Sequence, residues 1–185
     1  MSPVARYFAV LPVFVLLPAA FARQSLTVLL QFEDKHSEQS IDAMKKELES
    51  LVTDVDVNWR LLSEVRSDDV FHDLVVVKFK GACEMASTSP FLIDERGYYA
   101  FTYTSGGQVL PFSEVECDKV RTSIRPAMSP GDLHNRGEYL LGRALGRVLA
   151  HELHHVLARS MSHSKTGVNR RALTPGDLIA DRITH

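Results

Sequence analysis

The sequence predicts an α/β (α+β) fold, with a mixed, twisted sheet, one backing helix and a long helix toward the C-terminus. Three observations predict it. Short apolar runs rich in Val, Leu and Phe recur along the first two thirds of the chain, the composition that buried strands favour. An amphipathic stretch separates the first two runs, so at least one parallel crossover is expected. From about Gly137 to Ser160 there is no proline, and apolar residues return at helical spacing.

The elements follow in order. Ser25 to Phe32 (SLTVLLQF) reads as a buried strand. Ser37 to Leu51 reads as a helix, because Ile41, Met44, Leu48 and Leu51 fall on one face and Ser37 suits the N-cap. Val55 to Leu62 and Asp73 to Phe79 are strands, giving a β-α-β-β opening. Tyr98 to Thr104 (YYAFTYT) is another strand, either at the sheet edge or inside it. Ser105-Gly106-Gly107-Gln108 is a turn, from which Val109 to Phe112 returns. Ser129-Pro130-Gly131-Asp132 is expected to break the chain before the long helix. A last short helix starts at Thr174-Pro175, where Thr caps and Pro takes the first helical position.

The long helix carries His151-Glu152-Leu153-His154-His155, an H-E-x-x-H sequence. Residues four apart lie one turn above each other, so His151 and His155 can hold one metal ion together. On a helical wheel, Leu141, Leu145, Leu149 and Leu153 share a broad apolar arc with His155 and Glu152. A carboxylate in that arc needs compensation, from a metal with its water or from an arginine on another element. Arg143, His154 and Arg147 fall on the opposite side, read as solvated. Gly142 and Gly146 lie on the back of the helix, where close approach of another backbone, expected to be the sheet, would account for them.

A chain with several strands followed by an H-E-x-x-H helix resembles the zincin metallopeptidases, and among them the metzincin-like architecture. The resemblance rests on residues 151 to 163 and, more loosely, on the order of elements from Ser25. It implies that His151 and His155 bind one catalytic Zn²⁺ and that Glu152 is the general base. It implies a peptide or protein substrate, which would lie antiparallel along an exposed edge strand, Tyr98 to Thr104 being the candidate. A catalytic zinc needs a third protein ligand. The metzincin extension H-E-x-x-H-x-x-G-x-x-H is not met, since Ala158 and Met161 occupy its last two marked positions. No methionine follows His163 to make the usual methionine turn. His163 is the first candidate for third ligand, and Asp177 or Asp181 on the last helix is the alternative. His36, His72, His134 and His185 have no ligand spacing. Tyr139 and His134 precede the motif without a route to the metal.

The first 22 residues have the layout of a secretory signal peptide: Arg6, an apolar core from Tyr7 to Leu17, and Ala20-Phe21-Ala22 at the cleavage site. Residues 23–185 then form a single domain, by the resemblance a metallopeptidase-like catalytic domain, secreted or periplasmic. No other segment is long and apolar enough for stable membrane insertion. The net charge is −2 and no basic stripe is present, which argues against a nucleic-acid partner. Export to an oxidising compartment pairs the two cysteines, Cys83 and Cys117, as a disulfide bond. The expected function is a secreted zinc-dependent peptidase, a hydrolase acting inside chains. Its rivals are an inactive zinc-binding or interaction domain derived from a zincin, and a metal-free protein whose histidines are structural.

Overall fold

The computed structural model describes residues 23–87 and 97–183. Residues 1–22, read above as a secretory signal, and His185 lie outside the described residues. In chain order the elements are β1 (Gln24–Phe32), α1 (Glu38–Leu51), β2 (Val55–Leu61), β3 (Leu74–Lys80), β4 (Ala100–Ser105), β5 (Gln108–Glu116), α2 (Cys117–Ile124), α3 (Pro130–Ala158) and α4 (Pro175–Ile179). The five strands make one mixed sheet in the order β2-β1-β3-β5-β4. β1 pairs in parallel with β2 and β3, β3 in parallel with β5, and β4 runs antiparallel to β5. An α+β fold is therefore the observed class.

Alternation decides which sheet face is covered. Leu26 and Val28 of β1 sit in register with Val57 and Trp59 of β2, and Val28, Leu30 and Phe32 with Val75, Val77 and Phe79 of β3. Their common face packs on α1, through Ile41, Met44 and Leu48, and on α3, through Leu141, Leu145, Leu149 and Leu153. Ser37 caps α1, its side chain accepting from Ser40 N–H. The β4–β5 hairpin closes on Gly106 and Gly107, whose φ values of 56° and 79° suit the right-handed twist of the flanking strands. β4 is thus the last strand of the sheet, an edge with Phe101 and Tyr103 exposed.

Three expectations need correction. Ser129-Pro130-Gly131-Asp132 does not end structure but starts it: Ser129 caps α3, accepting from Asp132 N–H, with Pro130 at the first helical position. The interruption falls later, at Arg136 (φ −140°, ψ 20°), so the straight part of α3 runs from Gly137. The partner that comes close to Gly142 and Gly146 is not the sheet but α1. A Cβ on Gly142 would stand 2.3 Å from the Ser40 carbonyl oxygen, and one on Gly146 2.7 Å from that of Met44.

The third correction concerns charge. Arg143 and Arg147 are buried, not solvated. Arg147 donates from Nε to Glu47 Oε1 at 2.7 Å and from its guanidinium to the Asp177 carbonyl. Arg143 donates to the Ile179 and Ala180 carbonyls at 3.0 Å and to Asp181 Oδ1 at 2.9 Å. The polar face of α3 is covered because the C-terminal segment folds back over it. These guanidinium contacts satisfy carbonyls at the end of α4 that would otherwise be orphaned.

Cys83 and Cys117 form a disulfide with Cα atoms 5.0 Å apart, as expected. Closing a loop of this length stabilises the fold by about 4 kcal/mol in the chain-entropy account.

Gly142→Ala tests the helix contact. The methyl would collide with backbone, and overpacking of this kind costs about 1–3 kcal/mol net, against a helix-propensity gain of about 1 kcal/mol. Urea unfolding should show a lower midpoint with an unchanged slope. A midpoint equal to wild type would mean that the helices have room to part.

Candidate metal centre

The last turns of α3 and the loop after it bring three histidines together. His151 and His155 lie one turn apart on α3, and His163 approaches from the following loop. One ring nitrogen of each can be chosen so that all lie within 4.8 Å of one another. The His163 ring stacks on His151 at a centroid distance of 5.1 Å and meets His155 edge-on at 4.8 Å. Local backbone geometry makes this approach. Helix α3 ends at Arg159 in the left-handed conformation (φ 49°, ψ 38°), an arrangement costing about 1 kcal/mol for a non-glycine residue. The reversal lets Ser160 N–H donate to the His155 carbonyl at 3.1 Å and turns the chain back toward the histidine face.

Hydrogen bonding settles the ring tautomers. His151 Nδ1 lies 3.0 Å from the Val168 carbonyl oxygen, and His155 Nδ1 lies 2.8 Å from the Ser160 carbonyl oxygen. A carbonyl only accepts, so both Nδ1 atoms carry the proton. Both Nε2 atoms then hold lone pairs, and they face each other at 3.2 Å. Two lone pairs at that distance repel unless an electrophile sits between them. Protonating one ring is disfavoured, since burial pushes the His151 imidazole below its ordinary value, with the Val168 carbonyl partly opposing this. Ligands about 2.0 Å from a zinc at tetrahedral angles lie about 3.3 Å apart, so the His151–His155 pair is spaced for a metal of that kind, with His163 beside it.

Glu152 is buried, as the apolar arc implied. Its Oε2 accepts from Thr102 Oγ1 at 2.7 Å, and Thr102 Oγ1 lies 2.9 Å from Ser113 Oγ. Among the described residues no arginine or lysine pairs with Glu152, so the compensating arginine weighed from sequence is not seen. Burial raises the Glu152 carboxyl above its ordinary value, while the hydrogen bond from the Thr102 hydroxyl partly opposes this. A groove of about 700 Å³ runs past the histidines and Glu152, between Phe101 on the β4 edge and Arg171 and Leu173 opposite.

The other candidates are placed elsewhere. Asp177 Oδ2 accepts from Thr174 N–H at 2.8 Å and pairs with Arg170. Asp181 pairs with Arg143 and Arg136. Neither joins the histidine cluster. His154 is half-buried rather than a surface residue, and lines a separate cleft of about 920 Å³ that also contains Arg159. His36 stacks on Phe32, while His72 and His134 are exposed. Tyr139 accepts from Arg143, away from the cluster. Sequence reasoning missed Thr102 and Ser113. The available signal was a threonine at an inward-facing position of YYAFTYT, where a polar group needs a partner. The carbonyls of Ser160 and Val168 had no signal, because any residue supplies one.

No family model matches the chain, no curated protein matches it, and no solved structure matches its fold.

Asp177 carries a separate prediction. Its carboxyl is held below the ordinary value, first by the Thr174 hydroxyl and also by the Thr174 N–H and Arg170. A depressed folded-state value means stabilisation that is complete above the ordinary carboxylate range and fades as pH falls through the folded value. Asp177→Ala should therefore cost about 1 kcal/mol at neutral pH through the lost cap. The gap from wild type should close on acidification below that range. A gap independent of pH in thermal melts would contradict this assignment.

Proposed function

We propose that this protein is an exported zinc-dependent peptidase of the zincin type, most simply an endopeptidase. The observation that carries the reading is the pair of unprotonated Nε2 atoms of His151 and His155, facing each other with His163 beside them. Such a donor set of three neutral imidazoles suits zinc and leaves a fourth position open to the groove. Hydrogen bonds from Nδ1 of His151 and of His155 to backbone carbonyls are the orienting contacts that zinc-binding histidines use. The disulfide and the N-terminal sequence support export. No helix among the described residues is long and apolar enough to cross a membrane.

His151, His155 and His163 would hold the ion. A zinc bound there supplies a Lewis acid that acidifies water and polarises a carbonyl oxygen. The protein's own part falls to Glu152 and β4. Glu152 takes the proton of the attacking water and returns it to the leaving amine. Its burial suits this, because a carboxylate in a site that excludes bulk water has a raised proton affinity. Among the described residues no strand pairs with the outer edge of β4, whose backbone would offer donors and acceptors to an extended peptide and align the scissile bond along the groove. An internal peptide bond suits a groove lying along an open strand edge.

Purified protein should contain about one zinc per chain and cleave an unfolded protein substrate. Glu152→Gln should keep the metal and lose cleavage by about 100-fold or more. His163→Ala should lose metal, whereas Asp177→Ala and Asp181→Ala should retain it. Zinc content by elemental analysis and cleavage of denatured casein read all of these. A Glu152→Gln variant as active as wild type would overturn the mechanism. Zinc without cleavage in the wild type would favour the inactive-domain reading instead.

A further inference from the structure

We propose that Thr102, backed by Ser113, is a positioning residue that fixes the Glu152 carboxylate from the edge strand. The inference rests on the peptidase reading and adds to it a link between β4 and the base. Thr102 is buried on β4 and Ser113 is buried on β5, where the two are register partners. The Thr102 hydroxyl lies 2.7 Å from Glu152 Oε2 and 3.3 Å from the Glu152 carbonyl oxygen.

Proton counting gives this chain a direction. An ionised carboxylate only accepts, so Thr102 donates its single hydroxyl proton to Oε2. The 2.9 Å contact between Thr102 and Ser113 must then be a donation from Ser113. Ser113 donates to Thr102, and Thr102 donates to Glu152. That order holds one carboxylate oxygen in place and leaves Oε1 for the groove. A donor–carboxylate bond in a buried site is short and strong, and it narrows the rotamers available to Glu152.

The strand is shaped for this. Pairing between β4 and β5 is regular up to Thr102↔Ser113 and shifts before Thr104↔Val109. The extra residues on β5 include Pro111, which has no N–H to give to a ladder. A register irregularity of this kind bends the strand and re-aims side chains. Thr102 is the last inward-facing residue of β4 before the shift, at the point where the strand crosses the Glu152 turn of α3. A peptide added to the outer edge of β4 would therefore lie on the same strand that holds the base.

Thr102→Val keeps shape and removes the donor, and Thr102→Ser restores the donor without the methyl. With zinc content unchanged, Thr102→Val should lower kcat by about 10- to 100-fold, the loss expected for one hydrogen bond to a charged group. KM should stay within about twofold, and Thr102→Ser should recover most of the rate. In metal-free protein labelled with ¹³C-glutamate, the Glu152 carboxyl resonance, assigned by its absence in Glu152→Gln, should move in Thr102→Val and return in Thr102→Ser. Should Thr102→Val fail to fold, Ser113→Ala removes the upstream donor and should lower kcat in the same sense by a smaller factor. Active wild type with unchanged kcat in the folded donor-deleted variant overturns the proposal alone. So does a Thr102→Ser variant as impaired as Thr102→Val, or a stationary Glu152 resonance. Wild type that neither binds zinc nor cleaves fails at the peptidase reading itself, and the positioning role falls with it.

Discussion

The contact on which the rest depends is backbone against backbone between α1 and α3. Gly142 and Gly146 let α3 settle where any side chain would strike the carbonyls of Ser40 and Met44. Two glycines weaken a helix interior by about 1 kcal/mol each relative to alanine. The gain is depth. With α3 seated against α1, its leucines at 141, 145, 149 and 153 fill the space above the sheet. The following turn then arrives beside β4 with Glu152 pointing into it. A helix held farther out would leave Thr102 without its carboxylate.

Burial of charge follows from the same packing. Arg143 and Arg147 stand on the side of α3 next to the glycines, and Glu47 of α1 reaches Arg147 there. Neither guanidinium could be buried on that pair alone. The C-terminal segment completes the shell with its carbonyls and Asp181. The segment that supplies Val168 to His151 is thus tied down at its far end by Arg147 and Arg143, about one and two turns before His151 on the motif helix. The two histidine supports differ accordingly. Ser160 is fixed by the local reversal at Arg159, and Val168 by contacts distant in sequence.

Much of the framework could be read from the chain because local signals agreed with the final packing. Ser37, Thr174 and the paired glycines 106 and 107 each act within a few residues, so cap and turn chemistry identified them. Strand phase was plain only at the end of β3, where Val77 and Phe79 alternate with Lys78 and Lys80. Arg143 and Arg147 were misread because a helical wheel reports what one helix can offer, not what folds over it. The Pro130-Gly131 pair misled for a related reason: proline stops a helix from inside and starts one from its first turn. His163 could not be separated from Asp177 and Asp181 by residue type. What separates them is that both aspartates are already engaged by arginines and a cap. The zincin extension fails at Ala158 and Met161, yet His163 joins the cluster because the chain reverses at Arg159.

The disulfide has a topological consequence. Cys83 follows β3 and Cys117 opens α2, so the covalent ring they close contains β4 and β5 entire. The edge strand and its hairpin therefore form a loop pinned at its base to the first turn of a helix and to the end of a central strand. A chain scission anywhere inside that ring does not divide the molecule. Both ends remain attached to the frame, and the β4–β5 pairing can persist across the break. In an environment that contains peptidases, the strand at the sheet edge is also part of the chain that can be nicked without being shed.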